Sequence, residues 1–229
     1  MMKKITFISD THTKHRRIKL KGGDILIHAG DISSMGYAHE VRDFCEWFNN
    51  QYQYDYKIFI AGNHDWGFQT KSIEFKDIVS EYKNIIYLQD NYIDIGDFPD
   101  DQIRIYGSPW QPEFCNWAFN LPRNSQELKD KWDNIPTDID ILITHGPAFG
   151  HLDKVIGIND NLGCELLEKR IKLVKPKIHV CGHIHSGRGY KFDGDTNYIN
   201  ASVLDERYNF SFEPIDIEWD KENNIIYFK

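Results

Sequence analysis

Five apolar segments of this chain end in side chains that can hold a metal ion, and each has the short, Ile-rich composition of a buried β-strand. The residues that follow them, in chain order, are Asp10-Thr11-His12, Gly30-Asp31, Gly62-Asn63-His64-Asp65, His145-Gly146-Pro147 and Gly182-His183-Ile184-His185. In α/β sheets, ligands bind just beyond the carboxyl ends of the strands. We therefore expect these side chains to meet in one cleft at the edge of a sheet.

The wider pattern predicts a layered α/β fold. Strands are expected over Lys4–Ser9, Asp24–His28, Lys57–Ala61, Ile103–Tyr106, Asp140–Thr144, Lys177–Cys181, Asn197–Asn200 and Phe210–Glu218. Helices are expected over Tyr37–Asn50, Ser125–Trp132 and Leu162–Val174. Alternating strands and helices favour such layers, whereas the final strands have little helix between them and should pair antiparallel in part. We expect residues 1–229 to form a single domain.

Repetition is what makes a metal site the better interpretation of these motifs. A single His or Asp after a strand is usually a surface or hydrogen-bonded residue, so each motif alone is a weak indication. A purely structural account needs five independent coincidences, whereas one metal centre explains all five segments together. Gly30, Gly62 and Gly182 each precede a candidate ligand, where the backbone must approach closely. Oxygen and imidazole ligands suit Mn, Fe, Zn or similar divalent ions.

The composition limits the classes of binding partner and the cellular location that we expect. The formal net charge is -8 and the chain has no run of Lys or Arg, which disfavours a nuclease that acts on long nucleic acid. The four cysteines are scattered without a Cys-x-x-Cys pair and are expected to be reduced, buried thiols. The apolar stretch from Ile5 to Ile8 is too short for a signal peptide, and no apolar run reaches membrane-spanning length. A cytoplasmic protein without a membrane partner is expected.

The ordered motifs resemble the calcineurin-like metallophosphoesterase superfamily. The matching set is Asp-x-His, Gly-Asp, Gly-Asn-His-Asp, His-Gly-Pro and Gly-His-x-His, and it spans positions 10 to 185. Segments 106–120, 144–147, 181–185 and 198–202 are similar to the brain-type subgroup of metallophosphoesterase-domain-containing proteins. Asp65 stands where that subgroup often has Glu, and the segment 186–189 also departs from it. The resemblance implies a four-layer αββα sandwich, in which two mixed β-sheets are flanked by helices.

The resemblance also implies two divalent metal ions, with Mn favoured, and attack on a phosphate ester by metal-bound hydroxide. The ligands that it implies are Asp10, His12 and His185 for one ion, Asn63, His145 and His183 for the other, and Asp31 as the bridge. His64 follows ligand Asn63 and is the candidate general acid. Asp65 could accept a hydrogen bond from the His64 ring, or could simply form a turn.

Weaker candidates remain outside the ligand set. Arg188 could contact substrate beside Asn63 and His64, although a solvated surface arginine is the more common role. His28 and His179 lie within strands and are expected to be core residues. Trp110, Phe114, Trp117 and Phe119 could form a wall on which a nucleobase stacks, but core packing is the more common role for such a cluster.

The expected function is hydrolysis of a phosphodiester in a small nucleotide, cyclic nucleotides included. The diester assignment follows from the subgroup resemblance and from the aromatic segment, which offers a place for the second ester group. Simple charge attraction favours a dianionic monoester, so a phosphomonoesterase or protein phosphatase is the alternative. A third hypothesis is a metal-bearing interaction module without catalysis. The complete ligand set and His64 argue against that module.

Overall fold

The computed structural model describes residues 2–96 and 102–229. Its strands are β1 (Met2–Ile8), β2 (Gly23–His28), β3 (Tyr54–Phe59), β4 (Ile86–Tyr87), β5 (Asn91–Ile95), β6 (Ile103–Ser108), β7 (Gln111–Pro112), β8 (Asn120–Leu121), β9 (Ile141–Thr144), β10 (Ile178–Cys181), β11 (Gly189–Phe192), β12 (Asn197–Asn200), β13 (Ile215–Asp220) and β14 (Ile225–Phe228). Its α-helices are α1 (Ala38–Asn49), α2 (Trp66–Thr70), α3 (Ser72–Ser80), α4 (Gln126–Asp133) and α5 (Glu165–Val174).

The long strands form two mixed sheets. The first sheet has the order β14-β13-β1-β2-β3-β4, and the second has the order β11-β12-β10-β9-β6-β5. Strands β1, β2 and β3 are parallel to one another, as are β6, β9 and β10. Antiparallel pairs join β11 to β12 and β13 to β14, which confirms the expectation for the final strands. The carboxyl ends of the parallel strands can therefore build a common cleft.

Apolar side chains pack the two sheets against each other. Phe7 and Ile58 of the first sheet share one buried cluster with Ile143, Val180 and Ile199 of the second. Successive residues of a strand point to opposite faces, so the remaining apolar residues of each strand face outward toward the helices. Burial of this kind stabilises the fold by about 25 cal/mol for each Å² of apolar surface removed from water.

Helices cover the outer faces of both sheets. Phe44 of α1 and Phe75 of α3 pack with Phe59 on the first sheet. Trp132 of α4 and Leu167 of α5 lie in a third cluster on the outer face of the second sheet. This arrangement confirms the four-layer αββα sandwich.

Several elements differ from the sequence predictions. The last predicted strand, Phe210–Glu218, begins only at Ile215, because the backbone amides of Ser211 and Phe212 both donate to the Val203 carbonyl instead of a sheet partner. Helices α2 and α3 and strands β5, β11 and β14 are absent from the sequence predictions. Strand β5 buries one residue and strands β11 and β14 bury none, so the apolar alternation of a half-buried strand is missing there. Helix α3 does bury Phe75, Ile78 and Val79 on one face, but over only nine residues.

The cysteine prediction is correct in oxidation state but not in burial. All four thiols are free; Cys45, Cys164 and Cys181 are buried, whereas Cys115 is exposed. Among residues 2–96 and 102–229, no helix has the length and apolar character needed to cross a membrane.

Candidate metal centre

The seven predicted ligands are brought together where the two sheets meet. The ligand atoms of Asp10, His12 and His185 all lie within 4.8 Å of one another, and so do those of Asp10, Asp31 and His145. Of the remaining two predicted ligands, Asn63 contacts His145 and His183 contacts Asn63. Both sheets supply ligands. Strands of the first sheet are followed by Asp10, Asp31 and Asn63, and strands of the second sheet are followed by His145, His183 and His185.

One group of ligands is centred on Asp10. The Nε2 atom of His185 lies 3.4 Å from Oδ1 of Asp10, while its Nδ1 atom lies 2.8 Å from the Asp205 carbonyl oxygen. A ring that donates from Nδ1 to a carbonyl leaves Nε2 free to face a metal, which is the usual support of a histidine ligand. The Ser202 hydroxyl donates to Oδ2 of Asp10 at 2.6 Å and fixes that carboxylate.

The other group is centred on Asn63. Its Oδ1 atom lies 2.9 Å from Nε2 of His145 and 2.8 Å from Nδ1 of His183. Nδ1 of His145 lies 2.9 Å from the Ala29 carbonyl oxygen, so this ring is supported in the same way as His185. Three ligand atoms therefore converge on one point.

Asp31 lies between the two groups. Its Oδ2 atom is 3.3 Å from Nε2 of His145 and 3.6 Å from Nε2 of His12. Its Oδ1 atom accepts a hydrogen bond from the His64 amide at 2.8 Å. A carboxylate that faces ligands of both groups has the placement that a bridging ligand requires.

His12 provides the clearest test of whether these residues fit a metal ion. Its side chain is buried, yet among the described residues neither ring nitrogen has a hydrogen-bond partner. Burial lowers the pKa of His12 to about 4, so the ring is neutral and one nitrogen has an unused lone pair. Buried polar atoms without partners are rare, and an ion at this point would satisfy the ring. The residues present fit a divalent metal.

Electrostatics support the same conclusion. Burial alone would raise the pKa of Asp10, but His185, His145 and His12 outweigh it and hold this pKa well below its ordinary value. Burial likewise opposes ionisation of Asp31, and His145 is the main group that lowers the pKa of this carboxyl. The cleft therefore holds two buried carboxylates in their anionic form, the state in which they bind cations.

The backbone around the ligands is shaped for close approach. A Cβ atom at Gly62 would lie 2.2 Å from Oδ1 of Asp31, and one at Gly182 would lie 2.2 Å from Oδ2 of Asp10. A Cβ atom at Gly30 would lie 2.6 Å from Nδ1 of His145. These distances confirm that the three glycines are needed next to the candidate ligands.

Four of the candidate ligand residues adopt left-handed backbone conformations, which residues other than glycine rarely adopt. The φ angles are 55° at Asp10, 40° at His12, 56° at Asp31 and 67° at His183. Each such residue costs about 1 kcal/mol or more, and strain of this kind clusters at functional sites.

A cleft opens directly beside these ligands. Its volume is about 380 Å³, and its wall includes Phe114, Pro147, Leu162, His183 and Tyr208. The sequence did not indicate Tyr208, which lies in a loop far from the motifs. Its ring centroid is 4.8 Å from that of His12 and 5.4 Å from that of His185.

Residues 3–187 match the family model for calcineurin-like phosphoesterases. The chain belongs to the calcineurin-like phosphoesterase family. It is 43% identical to human metallophosphoesterase domain-containing protein 1 over 92% of this chain and 69% of that protein, which confirms the subgroup resemblance. Family membership makes the chain a hydrolase of phosphate esters that uses divalent metal ions.

Solved structures confirm the fold of this calcineurin-like phosphoesterase. The crystal structure of the Thermus thermophilus protein TT1561 aligns with a TM-score of 0.64 at 14% identity, covering 100% of this chain and 99% of that one. The phosphopantetheinyl hydrolase of Mycobacterium tuberculosis aligns with a TM-score of 0.60 at 14% identity, covering 89% and 90% of the two chains.

Of the two roles left open for Asp65 in this phosphoesterase, the hydrogen bond from the His64 ring is not formed. The Asp65 carboxylate is buried and accepts from the amides of Ile32, Ser33 and Gly62 at 3.2, 3.0 and 2.7 Å. These bonds tie the loop after β2 to the loop after β3 and leave the carboxylate occupied by backbone donors. The Nδ1 atom of His64 instead lies 2.7 Å from the carbonyl oxygen of Ser34.

Arg188, the weak candidate for a substrate contact, is engaged by the C-terminal segment. Its guanidinium donates to the Glu213 carbonyl at 2.6 Å and lies 5.7 Å from the centre of the Phe212 ring. The 3-10 turn over His185–Gly187 redirects the chain, so Arg188 faces the C-terminal segment.

The four aromatic residues of segment 110–119 divide between two environments. Phe119 is fully buried and Trp110 packs against it with ring centroids 5.4 Å apart, so core packing is confirmed for these two. Phe114 is 52% exposed and its ring lies 5.7 Å from that of His183. Trp117 stacks on His64 with centroids 4.0 Å apart. For Phe114 and Trp117 the core expectation is wrong.

Proposed function

We propose that this phosphoesterase hydrolyses phosphodiesters of small nucleotides, cyclic nucleotides included. The observation that carries the proposal is the cleft of about 380 Å³ beside His183 and His185, with a largely apolar wall. A diester has a second ester substituent that must lie next to the reacting phosphate, and this wall offers it a surface. The exposed ring of Phe114 is the face available for a base to stack on.

Each of the converging side chains would be a metal ligand. Asp10, His12 and His185 would hold one ion, Asn63, His145 and His183 would hold the other, and Asp31 would bridge them. When bound, two divalent ions of this kind activate water for attack and neutralise charge on the phosphate. Oxygen and imidazole donors without thiolate suit Mn, Fe or Zn, and manganese is the ion that the family resemblance favours.

His64 is proposed as the general acid. Its amide donates to Asp31, so the residue is fixed beside the ligands, and its Nδ1 atom is engaged by the Ser34 carbonyl. Nε2 is then the nitrogen left to deliver a proton to the leaving oxygen. Asp65 contributes indirectly, because its carboxylate fixes the backbone that carries Asn63 and His64.

One observation favours a phosphomonoesterase instead. Asp10 and Asp31 are the only two carboxylates among the seven proposed ligands, so two divalent ions would leave the centre positive. A positive centre attracts a dianionic monoester more strongly than a monoanionic diester. A protein phosphatase would share this preference.

Matched substrates separate the two functions. We expect kcat/KM for an aryl phosphodiester to exceed that for the matching aryl monoester, and a 2′,3′- or 3′,5′-cyclic nucleotide to be cleaved. A preference of about tenfold or more for the monoester, roughly 1.4 kcal/mol of transition-state stabilisation, would overturn the diester assignment. Phe114→Ala tests the apolar wall on the same substrates. Removal of the aromatic ring should raise KM for the diester more than KM for the monoester.

We propose that residues 1–229 form one cytoplasmic domain. The family match ends at residue 187, yet β13 pairs antiparallel with β1 and β14 pairs with β13. The C-terminal hairpin therefore completes the first sheet. Four free thiols are consistent with a reducing compartment.

A further inference from the structure

We propose that Trp117 is a positioning residue that holds the His64 ring in the orientation needed for proton donation. This inference rests on the proposed role of His64 as general acid. The indole and imidazole rings are stacked, with centroids 4.0 Å apart and an interplanar angle of 27°. None of the five ligand motifs includes this contact, since Trp117 lies more than fifty residues after His64 in the sequence.

The other contacts of His64 leave its ring plane to be fixed by Trp117. The Nδ1 atom bonds the Ser34 carbonyl at 2.7 Å, and the His12 ring meets His64 edge-on with centroids 4.6 Å apart. A ring held by one hydrogen bond can still tilt about that bond. A flat aromatic face stacked on the ring removes this freedom and keeps the opposite nitrogen directed along one line.

Trp117 is itself fastened to the loop that carries His64. The amide of Ala118 donates to the Asn63 carbonyl at 3.1 Å, and the amide of Phe119 donates to Oε1 of Gln69 at 2.6 Å. Ala118 and Phe119 are fully buried and anchor the segment in the core. Because the bond from Ala118 reaches the residue next to His64, the two stacked rings are held on a common backbone framework.

The position of Trp117 also separates it from the substrate wall. Phe114, three residues earlier, lines the cleft beside His183, whereas Trp117 is not among the described residues that line it. Trp117 therefore contacts the proposed acid and not the space proposed for the substrate. This difference predicts an effect on kcat and not on KM.

The test compares Trp117→Leu and Trp117→Phe, each alone and combined with His64→Ala, on aryl and alkyl phosphodiesters. Leaving groups range from nitrophenolate, which departs without a proton, to alkoxide, which needs one. We expect Trp117→Leu to lower kcat by roughly 3- to 10-fold on the poor leaving groups and by less on nitrophenyl esters. KM should change little, and Trp117→Phe, which keeps an aromatic face, should recover most of the loss.

The combined variants decide whether Trp117 acts through His64. In the His64→Ala background, Trp117→Leu should cost no further activity. A loss of equal size in both backgrounds, or a raised KM with unchanged kcat, would overturn the proposal in favour of packing or substrate contact. If the loss of kcat caused by His64→Ala is the same for good and poor leaving groups, the general-acid assignment of His64 is wrong. The inference about Trp117 is then wrong as well. Thermal unfolding midpoints of all variants distinguish these outcomes from misfolding.

Discussion

At the scale of single residues, three histidines of the cleft share one kind of support, a backbone carbonyl oxygen at Nδ1. Nδ1 of His145 and His185 is used by the carbonyl oxygens of Ala29 and Asp205, which orients each Nε2 inward. Nδ1 of His64 is used in the same way by Ser34, yet this ring is stacked on Trp117 beside the ligands. In the proposed mechanism, the same support would orient two metal ligands and the general acid.

Replacement of the proposed bridge should remove metal. We expect Asp31→Asn to bind at most one metal ion where the parent chain binds two, because the substitution removes a buried negative charge that faces both ligand groups. Metal analysis of the purified proteins after loading measures this. Asp133→Asn, which changes an exposed carboxylate paired with Lys129, is the control and should keep the full metal content. A parent chain that binds no metal under any loading condition would contradict the assignment of the centre.

Replacement of the proposed acid should leave metal in place. We expect His64→Ala to retain its metal and to lose about 10²- to 10⁴-fold in kcat on a substrate with a poor leaving group, the usual span for a general acid. The reason is the position of His64 beside the ligands, with Asp31 as the acceptor for its amide. Wild-type turnover by this variant on an alkyl diester would show that another group donates the proton.

The sequence predicted the ligand residues better than their surroundings. Each of the seven proposed ligands follows a buried strand, and the topology of parallel strands alone brings such positions together. Tyr208, Ser34 and Trp117 lie in irregular loops, whose paths depend on tertiary contacts that leave no periodic pattern. The sequence left the role of Asp65 open for a related reason, because the Ile32 and Gly62 amides that bind its carboxylate lie in loops whose paths have no sequence pattern.

At the scale of elements, the loop that follows β12 supports one side of the centre. The Asp205 carboxylate accepts from the amides of Arg207 and Asn209 at 2.9 and 2.8 Å and from the Ser211 hydroxyl at 3.1 Å. These bonds close the loop on itself and fix the Asp205 carbonyl against His185. The strand prediction over Phe210–Glu218 missed this loop, because its side-chain hydrogen bonds replace the sheet pairing that the apolar residues suggested.

Loosening this loop should weaken metal binding without removing a ligand. We expect Asp205→Ala to lower the affinity for one of the two metal ions by roughly 10-fold or more, as is usual when the support of a histidine ligand is lost. Competition with a chelator of known affinity measures the change. Asp205→Asn keeps an oxygen acceptor for the loop amides and should lose less. Equal affinities for all three proteins would mean that the loop does not orient His185.

At the scale of the whole molecule, the sandwich joins two sheets through polar contacts at the cleft and apolar contacts elsewhere. Two of the buried histidines outside the ligand set, His28 and His179, lie within strands of this framework. Their expected core role is confirmed: Nε2 of His28 lies 3.0 Å from Oγ1 of Thr11, and Nε2 of His179 lies 2.8 Å from Oγ1 of Thr144. Burial lowers the pKa of each ring to about 3, so both are neutral in the folded chain.

Acid should therefore destabilise the fold through these rings. Burial is the main cause of the lowered pKa of His179, and nearby His151 adds to it while Glu168 opposes it. Because the folded-state pKa lies below the unfolded value of 6.5, the unfolded chain takes up the proton first, and stability falls as the pH drops from 6.5 toward about 3. Each such ring contributes a loss of up to about 1.4 kcal/mol per pH unit in this window.

Replacement of His179 should make the fold less sensitive to acid. We expect the free energy of unfolding of His179→Gln, measured in urea on chelator-treated protein, to fall less steeply with decreasing pH than that of the parent. Glutamine does not titrate, so the gap between the two proteins should narrow by about 2 kcal/mol between pH 6.5 and about pH 5. If the free energies of unfolding of the two proteins fall in parallel across that pH range, protonation of His179 does not contribute to the loss of stability in acid.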